Sequence, residues 1–241
     1  MKVIAINSSP NMDIGNTALI LKPFLEGMQE VGAEVELFYT KKLNINPCQG
    51  EFNCWYKTPG KCFQKDDMQM LLPKILKADV LVFATPLYCD GINGAMKNLW
   101  DRLIPLCLPN FELRNGHCRH PLRKEIKLVK AILVSNCGFW ELDNFDPMIN
   151  HMKAFCKNTQ WEFVGALLRP HGHVLRAMME MGLNVNVILD AAKEAGRQLM
   201  KDGSISIEIL NSISRQLIPL EMFLQEVNKY TEKQIDTLKA K

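Results

Sequence analysis

The chain has 241 residues, with 29 Lys and Arg against 26 Asp and Glu, a formal net charge of +3 and 47% hydrophobic side chains. That length can bury a large core, the balanced composition argues against disorder, and the small charge does not suggest a nucleic-acid or membrane-surface binder. A strand pattern starts at once, without a basic and then apolar leader, and no later run approaches a membrane span. The eight cysteines are therefore expected to be reduced, metal-bound or simply buried, in a cytoplasmic protein.

Strands and helices alternate over the first two hundred residues. Residues 2–6 read as a first strand, 17–31 as a helix with apolar positions at helical spacing, and 34–38 as a second strand. Residues 67–77 read as a helix ahead of the wholly apolar run 80–84, which suits a buried parallel strand. A helix over 94–106, a strand over 128–135, a helix over 146–157 and a strand over 163–168 follow. Five strands joined by helices predict an α/β fold with a doubly wound parallel sheet, and right-handed crossovers favour the flavodoxin-like order 2-1-3-4-5. After Met200 two amphipathic helices divided at Pro219 are expected, a C-terminal helical extension over 201–241 on a main domain of 1–200. The extension is expected to wrap the core or a neighbouring subunit.

Ligands of such sheets sit beyond the carboxyl ends of the strands, where the strand order reverses. Three predicted loops leave those ends. The first, within MKVIAINSSPNMDIGNT, carries an apolar strand into a turn rich in hydroxyls and amides that opens a helix. Unpaired backbone N–H groups and the positive end of a helix dipole favour a phosphate there. Ser8, Ser9, Asn11, Asn16 and Thr17 add neutral hydrogen-bonding groups, and Gly15 permits close approach. Asn16 or Thr17 could equally cap the helix, as in an ordinary strand-turn-helix. Neither G-x-G-x-x-G nor G-x-x-x-x-G-K-[ST] is present at this strand.

The second loop, TPLYCDGINGAMKNLWDR over 85–102, exposes backbone groups suited to the edge of a flavin ring, with Tyr88 placed to pack on it or to serve as plain loop packing. Thr85 and Pro86 are expected to end the strand. In the third, SNCGFWEL over 135–142, Gly138 allows close backbone approach. Phe139 and Trp140 are either walls of the ligand site or lids over the core.

Together with KTPGKC (57–62) and KDDM (65–68), these loops resemble the NADPH-dependent FMN reductase and iron-sulfur flavoprotein branch of the flavodoxin-like superfamily, over about residues 1–200. The resemblance implies non-covalent FMN, with its phosphate on Ser9, Pro10, Asn11, Gly15, Asn16 and Thr17. The ring would lie against Pro86, Leu87, Tyr88, Cys89, Asp90, Ser135, Asn136, Cys137 and Gly138. Asn11 stands where the family usually has arginine. The resemblance further implies NAD(P)H as co-substrate, a quinone, flavin or other small molecule as acceptor, and a homodimer or homotetramer. The chemistry would be carried by FMN, and no proton-transfer residue is named. A non-enzymatic electron carrier is the alternative, although such flavodoxins are short and acidic. A ligand-binding scaffold without redox turnover is the third reading.

Iron-sulfur members of this branch resemble C-x2-C-x2-C followed by a fourth cysteine. Here Cys48, Cys54 and Cys62 occupy three positions and Glu51 the other. A carboxylate is a poor ligand for such a cluster, so no cluster is expected. His117, Cys118 and His120 fit no common zinc spacing and read as a connector. His171 and His173 follow the fifth strand and read as a structural turn near the ligand edge.

Overall fold

The structure is a computed structural model that describes residues 1–124 and 127–239; the last two positions of the expected 201–241 extension lie outside the described residues. Lys2–Asn7 forms β1, Asn16–Glu30 α1 and Glu34–Tyr39 β2; after a short turn of helix α2 (Asn53–Tyr56) come α3 (Met68–Lys77) and β3 (Val80–Tyr88). A two-residue strand β4 (Gly91–Ile92), α4 (Gly94–Asp101) and a hairpin of β5 (Glu112–Arg114) and β6 (His117–Arg119) lead to β7 (Lys130–Asn136). The chain continues through α5 (Asp146–Thr159), β8 (Glu162–Arg169), α6 (Gly172–Glu180), α7 (Asn186–Asp202), α8 (Ile207–Ser214) and α9 (Leu220–Lys239).

The sheet runs β2-β1-β3-β7-β8 with all five strands parallel, and β4 folds back antiparallel on the end of β3. This is the expected 2-1-3-4-5 order. Alternation along the strands divides the core: Ile4, Ile6, Leu81 and Phe83 face α3, α4 and α5, whereas Val3, Ala5, Val80 and Val82 face α1 and α7. Each of the larger side chains, withdrawn from water, contributes about 1.5–3 kcal/mol. An irregularity between Ala131 and Ile132 of β7 falls opposite Gly165, whose φ of 135° lies outside the ordinary strand range.

Several expectations are corrected. The third strand does not stop at Ala84 but continues through Thr85 and Pro86 to Tyr88. Proline is tolerated there because the pairing with β1 has already ended at Ala84, leaving one side of the strand without a ladder to interrupt. The helix expected over 94–106 ends at Asp101, and Pro105 lies in a separate single turn, Ile104–Leu106. The 115–121 connector begins with a hairpin turn in which Asn115 and Gly116 both have positive φ.

The two glycines that matter most to packing lie within helices. A Cβ on Gly27 of α1 would stand 1.8 Å from the Lys193 carbonyl oxygen, and one on Gly196 of α7 would stand 2.1 Å from the Phe24 carbonyl oxygen. Backbone therefore meets backbone where α1 and α7 cross. The extension is likewise bound into the body. Arg169, wholly buried at the end of β8, donates to the Ile213 and Arg215 carbonyls at 2.6 Å each and to that of Pro170 at 2.8 Å. The expected boundary after residue 200 falls inside the last turn of α7, which runs to Asp202.

Candidate flavin site

The three loops meet at the carboxyl edge of the sheet and are joined by hydrogen bonds. The Ser8 amide donates to the Ala84 carbonyl at 2.8 Å, and Asn93 Nδ2 donates to the Ser8 carbonyl at 2.7 Å. The same Asn93 caps α4, its Oδ1 accepting from the Met96 amide at 3.1 Å. Ser135 Oγ donates to the Thr85 carbonyl at 2.7 Å, and Thr17 Oγ1 donates to Asn136 Oδ1 at 2.6 Å.

The start of α1 is open. Gly15 precedes it in extended backbone, and no side chain caps the helix. Neither Asn16 nor Thr17 fills that role, because Thr17 is turned to Asn136 while Asn16 Oδ1 accepts from Arg176 Nε at 2.7 Å. Free N–H groups at a helix start require an anion, water or a cap. A Cβ at Gly15 would come 2.6 Å from Ser9 Oγ, so the loop wall is shaped for glycine. The buried Asn7 Nδ2 has no partner among the described residues. These features fit a phosphate-bearing cofactor.

Of the other expected residues, Ser9, Pro86, Leu87, Ser135, Asn136 and Cys137 are buried, whereas Pro10, Asn11, Tyr88, Cys89, Asp90 and Gly138 are exposed. The Ser135 and Cys137 side chains serve the scaffold: Ser135 binds the neighbouring strand, and Cys137 packs in the core, where burial pushes its thiol up. Their backbone remains at the loop. Cys89 and Asp90 both have positive φ in the two-residue turn between β3 and β4, a conformation that aspartate tolerates and that is uncommon for cysteine. Trp140 is engaged elsewhere, donating from Nε1 to the Ile218 carbonyl at 2.9 Å and lying nearly parallel to the His171 ring. The first helical residue after β8, Gly172, sits against Asn136. Asn93 and Arg176 were not expected at the site. Asn93 could have been found as a capping residue three positions before Met96, but nothing local marks Arg176.

The cysteine segment packs against the far end of α4. Trp55 Nε1 donates to the Ile104 carbonyl at 3.3 Å, and Arg102 Nη2 donates to Cys62 Sγ at 3.4 Å while its Nη1 pairs with buried Asp66 at 2.6 Å. Cys48, Glu51, Cys54, Cys62 and Arg102 border one small pocket. Burial, then the neighbouring Cys62, Glu51 and Cys48, push the Cys54 thiol up to about 11. Among the described residues no three His, Cys, Asp or Glu side chains are grouped to hold a metal ion. With the hard carboxylate of Glu51 in one thiolate position and the Arg102 guanidinium bonded to Cys62, this donor set is a poor match for an iron-sulfur cluster.

An open cleft of about 460 Å³ lies at the opposite edge of the sheet, beside Met1, Asp79 and Glu162. Its Lys130 is already committed to the Gly203 carbonyl at 2.8 Å.

The parallel sheet with an open helix start at its switch point defines a flavodoxin-like reductase fold. The chain belongs to the NADPH-dependent FMN reductase family, whose model matches residues 1–124. It is 38% identical over 115 residues to an iron-sulfur flavoprotein of Archaeoglobus fulgidus, a match covering 48% of this chain and 55% of that one. An iron-sulfur flavoprotein of Methanocaldococcus jannaschii is also 38% identical over 115 residues, covering 48% of this chain and 58% of the relative. The chain thus spans little more than half the length of these curated relatives. Among solved structures, an NAD(P)H:quinone oxidoreductase from Methanothermobacter marburgensis superposes with a TM-score of 0.59 at 20% identity, covering 83% of this chain and 96% of that one. An FMN-dependent NADH-azoreductase from Bacillus anthracis, solved with FMN, gives 0.60 at 16% identity, covering 83% and 100%. These structural likenesses concern the fold. The family to which the chain belongs is FMN-binding and NAD(P)H-dependent, and no helix among the described residues is long and apolar enough to cross a membrane.

Proposed function

We propose that the protein is an FMN-dependent NAD(P)H oxidoreductase that passes hydride from NAD(P)H to a quinone, a flavin or another small acceptor, in the cytoplasm and as a homo-oligomer. The observation that carries this reading is the uncapped start of α1 beside two further loops, held in register by the Thr17–Asn136 and Asn93–Ser8 bonds. Bound FMN would supply the hydride chemistry.

The chain's part is to bind and orient. The Asn16 and Thr17 backbone amides and the hydroxyl of Ser9 would hold the phosphate. The backbone of Pro86 to Asp90 and of Asn136 to Gly138 would line the ring and exchange hydrogen bonds with its edge. Exposed Tyr88 and Phe139, 51% and 56% accessible, would flank the space where the nicotinamide and then the acceptor enter. Among the expected site residues no side chain is arranged as an acid or base, consistent with chemistry that needs proximity and ring electronics.

The deciding experiment is the absorption spectrum of anaerobically purified protein before and after NADPH, with iron and sulfide analysis. Flavin bands that bleach on addition of NADPH, without iron, support the reductase. Flavin bands indifferent to NADPH and NADH, or a broad iron-sulfur absorption with matching iron, overturn it in favour of an electron carrier. A colourless protein that takes up no FMN removes both.

A further inference from the structure

We propose that Arg176 is the cation that holds the phosphate-binding loop for a phosphorylated flavin, making the site selective for FMN over the unphosphorylated riboflavin; the proposal rests on the FMN reading above. Arg176 lies on α6, remote in sequence from the loop, yet its Nε donates to Asn16 Oδ1 at 2.7 Å and its Nη2 to the Ile14 carbonyl at 2.6 Å.

Those partners are both neutral. Among the described residues no carboxylate pairs with the Arg176 guanidinium. The loop's one acidic side chain, Asp13, is bound by the Tyr39 hydroxyl and lies 3.5 Å from Lys22 Nζ. On the other flank Lys41 Nζ donates to the Pro10 carbonyl at 2.9 Å, again to a neutral oxygen. Cations are unfavourable at the positive end of a helix, and α1 begins here without a side-chain cap. The loop therefore concentrates more positive charge than its single carboxylate, Asp13, answers. A phosphomonoester, carrying most of two negative charges at neutral pH, is the group that relieves this.

The contacts also set orientation. Because Asn16 Oδ1 accepts from Arg176, its Nδ2 is left without a partner among the described residues, a donor such as a phosphate needs. Arg176 is a positioning residue for Asn16 and a charge at the loop; a purely structural arginine would do only the first.

The test is titration of the full-length, flavin-free chain with FMN and with riboflavin, followed by quenching of flavin fluorescence, for wild type, Arg176→Gln and Arg176→Lys. Arg176→Gln is expected to weaken FMN about tenfold, leave riboflavin within about twofold and flatten the salt dependence of FMN binding. Arg176→Lys should retain most of the preference for FMN. Equal weakening of both flavins, or no change in either, overturns the proposal while leaving the FMN reading intact. Failure of the wild type to bind either flavin overturns the reading itself. Should Arg176→Gln not fold, the wild type decides: its preference for FMN must shrink between low and high salt, and a salt-independent preference overturns the proposal.

Discussion

The Thr17 hydroxyl, in the first turn of α1, donates to Asn136 Oδ1 at 2.6 Å, tying the first ligand loop to the third across the edge of the sheet. Both residues are buried. Thr17→Val keeps the volume but leaves the Asn136 oxygen unsatisfied, so a loss of about 1–3 kcal/mol of stability is expected, together with FMN binding weakened several-fold. Thr17→Ser should keep both. Urea unfolding and flavin titration of the two variants check this, and equal behaviour of valine and serine would refute it.

Close helix contact predicts a second pair of variants. Gly27→Ala and Gly196→Ala each drive a methyl into main-chain carbonyl oxygen, which cannot swing away as a side chain can. Each should cost more than about 2 kcal/mol, measured as a lower urea midpoint. Gly138→Ala, with nothing near its would-be Cβ, should cost less than about 0.5 kcal/mol.

Acid should loosen the cysteine segment through the buried Arg102–Asp66 pair, whose side chains are 1% and 0% accessible. Burial alone would raise the Asp66 pKa, but the Arg102 bonds and the Asn46 amide outweigh it and hold the carboxyl below its ordinary value. The stabilisation is complete above the unfolded carboxylate pKa of about 4 and is lost as pH falls through the lower folded value. Asp66→Asn, which leaves the guanidinium buried without its charge partner, should lose about 3–5 kcal/mol at pH 7 in urea unfolding.

A buried histidine after β8 sets a second pH dependence. His171 is buried beside Arg169, and burial followed by that positive charge lowers its pKa to about 4. Folded protein keeps it neutral while the unfolded chain takes up a proton below about 6.5, so stability falls as pH drops from about 6.5 towards 4. The loss, up to about 2–3 kcal/mol, should be largely absent in His171→Asn, a residue that tolerates the left-handed backbone found there, where φ is 39°. Stability curves at several pH values, with Trp140 fluorescence as a local probe, give the comparison.

Cys48→Ala should leave the FMN content per chain unchanged and purify with as little iron as the wild type. A drop in bound iron in that variant would show that these cysteines do hold a cluster despite Glu51 and Arg102.

The five parallel strands were readable because four are predominantly apolar runs and the second, Glu34–Tyr39, begins with strand-like alternation, and their order follows from crossover handedness. The end of β3 was not, since Pro86 signals a stop unless one knows that β1 has already ended beside it. Asn115-Gly116 carries a hairpin signal in two adjacent residues, overshadowed by the histidines that follow. The first-loop candidates came from local chemistry, but the partners that orient them could not: Asn136 and Arg176 reach Thr17 and Asn16 only through the tertiary fold. For the same reason Cys137, attractive as a loop cysteine, turned out to point its thiol into the core.

The buried Arg169 also bears on how short a working version of this protein could be. Its guanidinium is answered by carbonyls of residues 213–215 and, among the described residues, by no acid. A fragment ending near residue 200 would thus carry a stranded interior cation at the last strand of the sheet, however complete its flavin loops. During synthesis the carbonyls that answer Arg169 emerge after every strand of the sheet, so the segment that carries them acts as a closing fastener for what was made before it.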